Sequence, residues 1–301
     1  MPGPVTDSVS SEFISWRGHR IFVTVTGHGD PLLLVPGLGN NIGMWVPFME
    51  QFQNRRIIRL DAPGTGLSST PIFPINLPAL AELLVAVLDE HNAPRADVIG
   101  FSYGGAVAQQ LAFDHPTRVR RLVLAATNCG IGAIPGWLPA VTGLATPIRY
   151  YSPSFFDRTA AATFGGVTAR DESVRRRMSN ARRSHPPAAN GYAMQLLGIF
   201  GWSSLNFLSR IPHETLVLCG DDDPLVPVAN ARMLAERIPN ATLEIVEGAG
   251  HLFLWDDAEN LGQRISRFLN RTRTADTASG PMQPRARTRR HSPRSVSQAT
   301  A

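Results

Sequence analysis

The chain has 301 residues, of which 43% are hydrophobic and 18% charged, with a formal net charge of +5. That apolar share fills a core and excludes wholesale disorder, and the length suits one large domain or one domain with an insertion. Two cysteines, Cys129 and Cys219, are too few for a disulfide scaffold, stand in no metal-ligand spacing, and read as small buried apolar residues.

The opening MPGPVTDSVSSEFISWRGHR has no basic start followed by an apolar run, which argues against a secretory signal. No eighteen-residue uncharged apolar stretch marks a spanning helix, so the expectation is a soluble protein of the reducing cytoplasm. Residues 1–14 read as an N-terminal extension. HRIFVTVTG (19–27) alternates in strand fashion, PLLLVPG (31–37) is a short apolar run ending in Pro-Gly, and RRIIRLDAPG (55–64) repeats that shape. LPALAELLVAVLDEHN (77–92) has helical spacing. ADVIGFSYGG (96–105) is a strand running into a turn, AVAQQLAFDHP (106–116) a helix stopped by Pro116, and RVRRLVLAATNCG (118–130) another strand. The alternation stops over 131–210, which is rich in Gly, Pro, Arg and aromatics and reads as an insertion on one edge of the fold. It resumes with a strand in ETLVLCGDDDP (214–224), a helix at 228–238, the strand ATLEIVEG (241–248) and a helix at 257–270.

Apolar strands alternating with helices predict an α/β fold: a mostly parallel central sheet with helices on both faces. Its core is expected over 15–130 and 211–270.

All 29 basic residues are arginine. Seven of them fall in 271–301, where Asp276 is the one acid, so this tail carries +6 and residues 1–270 carry −1. The sequence pI of about 10.0 therefore reports the tail, and no specific nucleic-acid partner is expected. The tail lacks an apolar period and reads as a disordered Arg-rich segment, either a solvated tether or a handle for an anionic granule or membrane surface. The run Arg175-Arg176-Arg177 with Arg182-Arg183 reads as a solvated face.

Gly100-Phe101-Ser102-Tyr103-Gly104 is a G-x-S-x-G pattern between a strand and a helix, the setting that lifts a serine hydroxyl above a sheet. A serine is a weak nucleophile without a base. Of eight histidines, His251, just after the strand 241–248, alone stands at the carboxyl end of the sheet, where ligands and catalysis gather. The base needs an acid to fix its tautomer. Asp221, Asp222 and Asp223 follow a strand at the same end; Asp223 is assigned, with Asp222 as the alternate. Asp61 is a rival by strand position, but its place in LDAPGTGLSS suits a loop cap. Oxyanion donors are expected from the Leu38 N–H in Pro36-Gly37-Leu38-Gly39-Asn40 and from the Tyr103 N–H at the helix start. This chemistry calls for no metal and no organic cofactor.

On PGLG, LDAPGTGLSS, GFSYGG, GDDDPLVP and GAGH the chain resembles the α/β-hydrolase superfamily over about residues 15–270. A serine at the nucleophile position argues against the haloalkane dehalogenase and epoxide hydrolase branches, which use Asp there. Asn40–Phe48, Ala106–Gln110, Gly198–Ser204, Gly220–Pro227 and His251–Leu254 are similar to segments of the intracellular medium-chain-length polyhydroxyalkanoate depolymerases, with Tyr103 where that family usually has Trp. The resemblance implies a helical lid over 131–210, whose aromatics, among them Tyr150, Phe164, Tyr192 and Phe200, either line an acyl pocket or pack the lid. It implies a serine esterase acting on a small-molecule or polyester substrate. A general carboxylesterase or lipase, and a hydrolase-like binding protein, are the alternatives.

Overall fold

A computed structural model describes residues 9–183 and 185–271; the Arg-rich segment 272–301 lies outside them, and with it the expectations placed on the tail. Eight strands form one sheet: β1 Ser10–Trp16, β2 His19–Thr26, β3 Asp30–Val35, β4 Arg55–Leu60, β5 Ala96–Phe101, β6 Val119–Ala125, β7 Glu214–Gly220 and β8 Ala241–Val246. Their spatial order is β1-β2-β4-β3-β5-β6-β7-β8. The β1–β2 and β2–β4 pairs are antiparallel, and every pair from β4 to β8 is parallel.

The parallel strands are apolar at successive positions because both of their faces are covered. Along β3, Leu33 joins one core cluster while Leu32 and Leu34 join the other; along β5, Val98 and Ile99 divide in the same way, and along β6 Leu122 and Leu124 oppose Val123. Helices Leu77–Glu90, Tyr103–Asp114 and Val228–Arg237 cover the Leu33 face. Helix Ala258–Leu269 covers the other with Leu261, Ile265 and Phe268. Helix Leu77–Glu90 is entered through Asn76, whose side chain accepts from Ala79 N at 3.0 Å, and Pro78 occupies its first turn. At the amino ends of the strands, the fully buried Asp97 of β5 is paired with Arg55 at 2.7 Å and with Arg120.

Three expectations change. The sheet begins at Ser10, inside the segment taken as an N-terminal extension: SSEFISW buries Ile14 and Trp16 on one face, but its outer positions include the exposed Phe13, which blurs the alternation. The helix after the serine starts at Tyr103, not at residue 106. The insertion leaves β6 and returns to β7, which are neighbours within the sheet, so it rises over the carboxyl ends of the strands and not from a sheet edge. It contains helices Leu138–Leu144, Ile148–Tyr151, Pro153–Phe164, Gly166–Arg170, Glu172–Arg183 and Ala189–Ile199. No helix among the described residues is long and apolar enough to cross a membrane.

Candidate active site

Ser102 sits between the last residue of β5 and the first of helix Tyr103–Asp114, with φ +53° and ψ −116°. An L-residue rarely adopts this conformation, and it is held from several sides. Ser102 N donates to Ala125 O at the end of β6 at 2.8 Å, and the Thr127 hydroxyl donates to Ser102 O at 2.7 Å. The flanking glycines are required by contact: a Cβ on Gly100 would lie 2.5 Å from Gly104 O, and one on Gly104 would lie 2.2 Å from Val35 O. The turn thus closes against the end of β3, beside the Pro36–Asn40 loop.

The other two assigned side chains meet this serine. His251 Nε2 is 3.1 Å from Ser102 Oγ, and His251 Nδ1 is 2.8 Å from Asp223 Oδ2. The Asp223 side chain is fully buried, and its Oδ1 accepts from Leu225 N at 2.8 Å and Val226 N at 2.9 Å. A carboxylate only accepts, so Nδ1 carries the proton and Nε2 is left to accept from the serine hydroxyl. The imidazole is wedged between rings: Phe101 lies 5.4 Å from it and Phe164 of the insertion 6.4 Å. His251 N donates to Phe164 O at 2.7 Å, and a Cβ on Gly166 would lie 2.0 Å from Gly250 N, so the insertion rests directly on the histidine loop.

The remaining acids have other tasks. Asp221 Oδ1 accepts from Gly248 N at 2.6 Å. Asp222, the alternate acid, is half exposed and accepts from Gly166 N and Arg170, each at 2.9 Å, tying β7 to the insertion. Asp61 is buried and accepts from Ile42 N at 2.7 Å and Leu67 N at 2.8 Å, so it braces two loops as its motif suggested. Burial pushes its carboxyl above the usual range, opposed by those two N–H donors.

Tyr103 opens the helix after the serine, and Leu38 lies in the loop that follows β3. Among the described residues neither backbone N–H makes a hydrogen bond, whereas Gly39 N donates to Gln195 Oε1 at 2.9 Å and Asn40 N to Gly37 O at 3.0 Å. Burial pushes the Tyr103 phenol well above its usual range, and its hydroxyl has no hydrogen-bond partner among the described residues.

Sequence reasoning missed the groups that position this loop. Gln195 is buried, and its Nε2 donates to Pro63 O at 3.1 Å while its Oε1 holds Gly39, so one side chain joins the insertion to two catalytic-end loops. A single polar residue within the apolar stretch Tyr192–Ile199 was the available signal. Tyr150 OH donates to Leu38 O at 2.8 Å. Two segments quoted separately from the sequence also prove to be partners: Ser204 Oγ donates to Gln109 Oε1 at 2.7 Å, and Trp202 Nε1 to Gln110 Oε1 at 2.6 Å.

A cavity of about 420 Å³ opens beside the site, lined by Asn40, Met44, Pro47, Tyr150, Val174, Arg177, Met178 and Trp255 among others. Trp255 meets the ring of Phe101 edge-on at 5.4 Å, which places the cavity one aromatic layer from His251. Its size and apolar lining suit a small organic ligand. Among the described residues no group of three or more His, Cys, Asp or Glu could hold a metal ion.

A family model described as the alpha/beta hydrolase fold matches residues 30–258. The chain belongs to the α/β-hydrolase family. Within it, this α/β hydrolase is 42% identical, over 82% of its length and 86% of the relative's, to a poly(3-hydroxyalkanoate) depolymerase of Ectopseudomonas oleovorans. It is 30% identical, over 80% of its length and 88% of the relative's, to 3-oxoadipate enol-lactonase 2 of Acinetobacter baylyi. A solved hydrolase from Pseudomonas aeruginosa superposes with a TM-score of 0.74 at 26% identity, covering 87% of this α/β hydrolase and 99% of the other chain.

Proposed function

We propose that this chain is a serine ester hydrolase acting in the cytoplasm on medium-chain poly(3-hydroxyalkanoate) or its oligomers. The observation that carries the reading is the hydrogen-bonded line Asp223–His251–Ser102, ending on a serine held at φ +53°. Ser102 Oγ attacks the ester carbonyl as His251 Nε2 takes its proton. Asp223 holds the imidazole by Nδ1–H and faces the positive charge that forms on it. The N–H groups of Leu38 and Tyr103 receive the oxyanion; a donor in this role is worth about 100- to 1000-fold in rate. His251 then protonates the departing alcohol, and water, deprotonated by the same histidine, releases the acid from Ser102.

The medium-chain preference is supported by the cavity of about 420 Å³, whose Met44, Pro47, Val174, Met178 and Trp255 suit an alkyl side chain. The polyester reading is supported by the 42% identity to a depolymerase. The insertion acts as the lid, with Phe164 and Gly166 seated on the histidine loop.

The test pairs polymer particles with soluble monomeric esters. Release of 3-hydroxy acids from the particles is expected. Turnover of soluble esters with no release would make the protein a general carboxylesterase. Failure of a fluorophosphonate probe to label Ser102 would make it a hydrolase-like binding protein.

A further inference from the structure

Three stretches of twenty or more residues contain no Asp, Glu, Lys or Arg: residues 62–81, 122–148 and 186–209. The fold brings them side by side. Pro71 and Ile75 share a small cavity with Met194 and Gln195, and a Cβ on Gly198 would lie 2.2 Å from Ile75 O. On the far side of the second contact, Ile131 N donates to Trp202 O at 2.8 Å and Ser203 Oγ to Ile131 O at 2.7 Å. Residues 62–81 follow the carboxyl end of β4, and the other two stretches lie on or within the connection from β6 to β7. The resulting surface therefore lies at the same end of the sheet as Ser102.

This surface displays large apolar side chains. Phe200 is 87% exposed, Ile72 83% and Phe73 78%, and Ile131 and Leu197 are more than half exposed. Such a concentration is unusual for a surface that meets only water. Charge is kept away from it. Arg149, just past one stretch, is buried with its guanidinium over the rings of Tyr150 and Tyr192, at 4.6 and 5.0 Å. Arg17, at the margin beside Ile72 and Phe73, is paired with Glu82.

We infer that the uncharged face carrying Ile72, Phe73, Ile131, Leu197 and Phe200 docks the protein on the surface of its insoluble polyester. The inference rests on the depolymerase reading and adds the surface that reading needs. An anionic bilayer selects clustered Lys and Arg. A polyester presents alkyl chains and neutral ester carbonyls, and a charged side chain pressed against it would lose its hydration without a partner. A face of bare apolar side chains with no charge is the complement of that surface. Because the face and Ser102 share one end of the sheet, docking through it brings the site toward the polymer.

The experiment measures adsorption of full-length Ser102→Ala protein, which binds without turnover, to medium-chain poly(3-hydroxyalkanoate) particles at low and high salt. Ile72→Ser, Phe73→Ser and Phe200→Ser are combined in that background and in the active enzyme. The triple substitution is expected to weaken adsorption by about tenfold or more, since each side chain contributes apolar burial. Adsorption of the unsubstituted face is expected to survive high salt. In the active enzyme, kcat/KM on a soluble ester should stay within about twofold, as for exposed substitutions away from the site, and Phe200→Ser alone should show a smaller loss of adsorption. Undiminished adsorption of the triple variant overturns the inference. So does adsorption abolished by salt, binding to phosphatidylcholine vesicles but not to the polyester, or a loss that merely tracks conversion of a dimer to monomer. Particles that bind through this face but release no 3-hydroxy acid would instead overturn the depolymerase reading, while hydrolysis with adsorption indifferent to the substitutions would overturn the docking face alone.

Discussion

Ser102 keeps its φ of +53° because the turn around it is fixed by Ala125 O, Thr127 and two glycines that admit no side chain. This conformation leaves Oγ 3.1 Å from His251 Nε2 at the N-terminus of the helix. Ser102→Ala should therefore remove at least a thousandfold of kcat with the fold intact, measured on a soluble ester alongside thermal melting. Asp223→Asn should cost about four orders of magnitude, since an amide no longer enforces the Nδ1–H tautomer. Asp222→Asn should leave kcat within about tenfold and lower stability by about 1 kcal/mol, because Asp222 bonds Gly166 and Arg170 and not the imidazole. Asp256 supplies a pH dependence of stability. Among the described residues neither of its carboxyl oxygens has a hydrogen-bond partner, and burial pushes its pKa up to about 6, with Arg170 opposing. A carboxyl whose folded value is raised favours the folded state below its unfolded value of 3.8 and loses that contribution as pH rises through about 6. Asp256→Asn should raise the Tm at pH 8, by the equivalent of about 1 kcal/mol once partial solvation is counted, and leave it nearly unchanged at about pH 3, below the unfolded value. Equal shifts at both pH values would show that the carboxyl does not titrate as stated.

At the scale of elements, the insertion shares the sheet's buried clusters through Phe156, Phe164 and Met178 on one face and Tyr150 and Tyr192 on the other, and single polar side chains fix it to particular loops. Helix Ala189–Ile199 reaches the Gly39 and Pro63 loops through Gln195, and helix Ile148–Tyr151 reaches Leu38 through Tyr150. Gln195→Leu keeps the bulk but leaves Gly39 N without its acceptor. An unpaired buried donor costs about 1–3 kcal/mol, and the loop bearing the Leu38 N–H is released with it. The expected signature is a lower kcat at nearly unchanged KM on a small ester, because under the proposed mechanism the Leu38 N–H meets the oxyanion of the transition state and not the ground state. A variant with normal kcat would mean that Tyr150 and the Asn40–Gly37 turn suffice to fix the loop. The arginine-rich helix Glu172–Arg183 behaves as a solvated face only in part: Arg176 and Arg177 are exposed, but Arg175 turns inward and donates to Thr168 O and Ala169 O, both at 3.0 Å.

For the whole molecule, charge and apolarity are segregated. Residues 271–301 carry +6, whereas the exposed Ile72, Phe73, Leu197 and Phe200 all fall within the uncharged stretches. The two kinds of surface attraction respond oppositely to salt, since charge attraction is screened within about 8 Å at physiological ionic strength and apolar contact is not. Removing residues 272–301 is expected to leave turnover of a soluble ester unchanged and to weaken binding to anionic vesicles at low salt. A fall in kcat on the soluble ester would place that segment in the active structure.

The sequence by itself determined the strand–helix alternation, the serine at a strand-to-helix turn and the histidine after the last strand. These depend on interactions a few residues long: apolar period, turn chemistry and the short reach of a loop from its strand. The tertiary structure decided what depends on distant partners. The sequence singled out Asp223 among three consecutive aspartates, with Asp222 as the alternate; the path of the chain after β7 is what brings Asp223 to a histidine 28 positions away and turns Asp222 to the insertion. Gln195 acts on Gly39 across 156 positions, a pairing with no local trace. The first strand was hidden because it borders the sheet: β1 pairs with β2 alone, so its outer positions need no apolar pattern. The uncharged stretches were present in the composition, but they became one surface only when the connection from β6 to β7 folded over the loop after β4, a closure set by packing and not by any local preference of the chain.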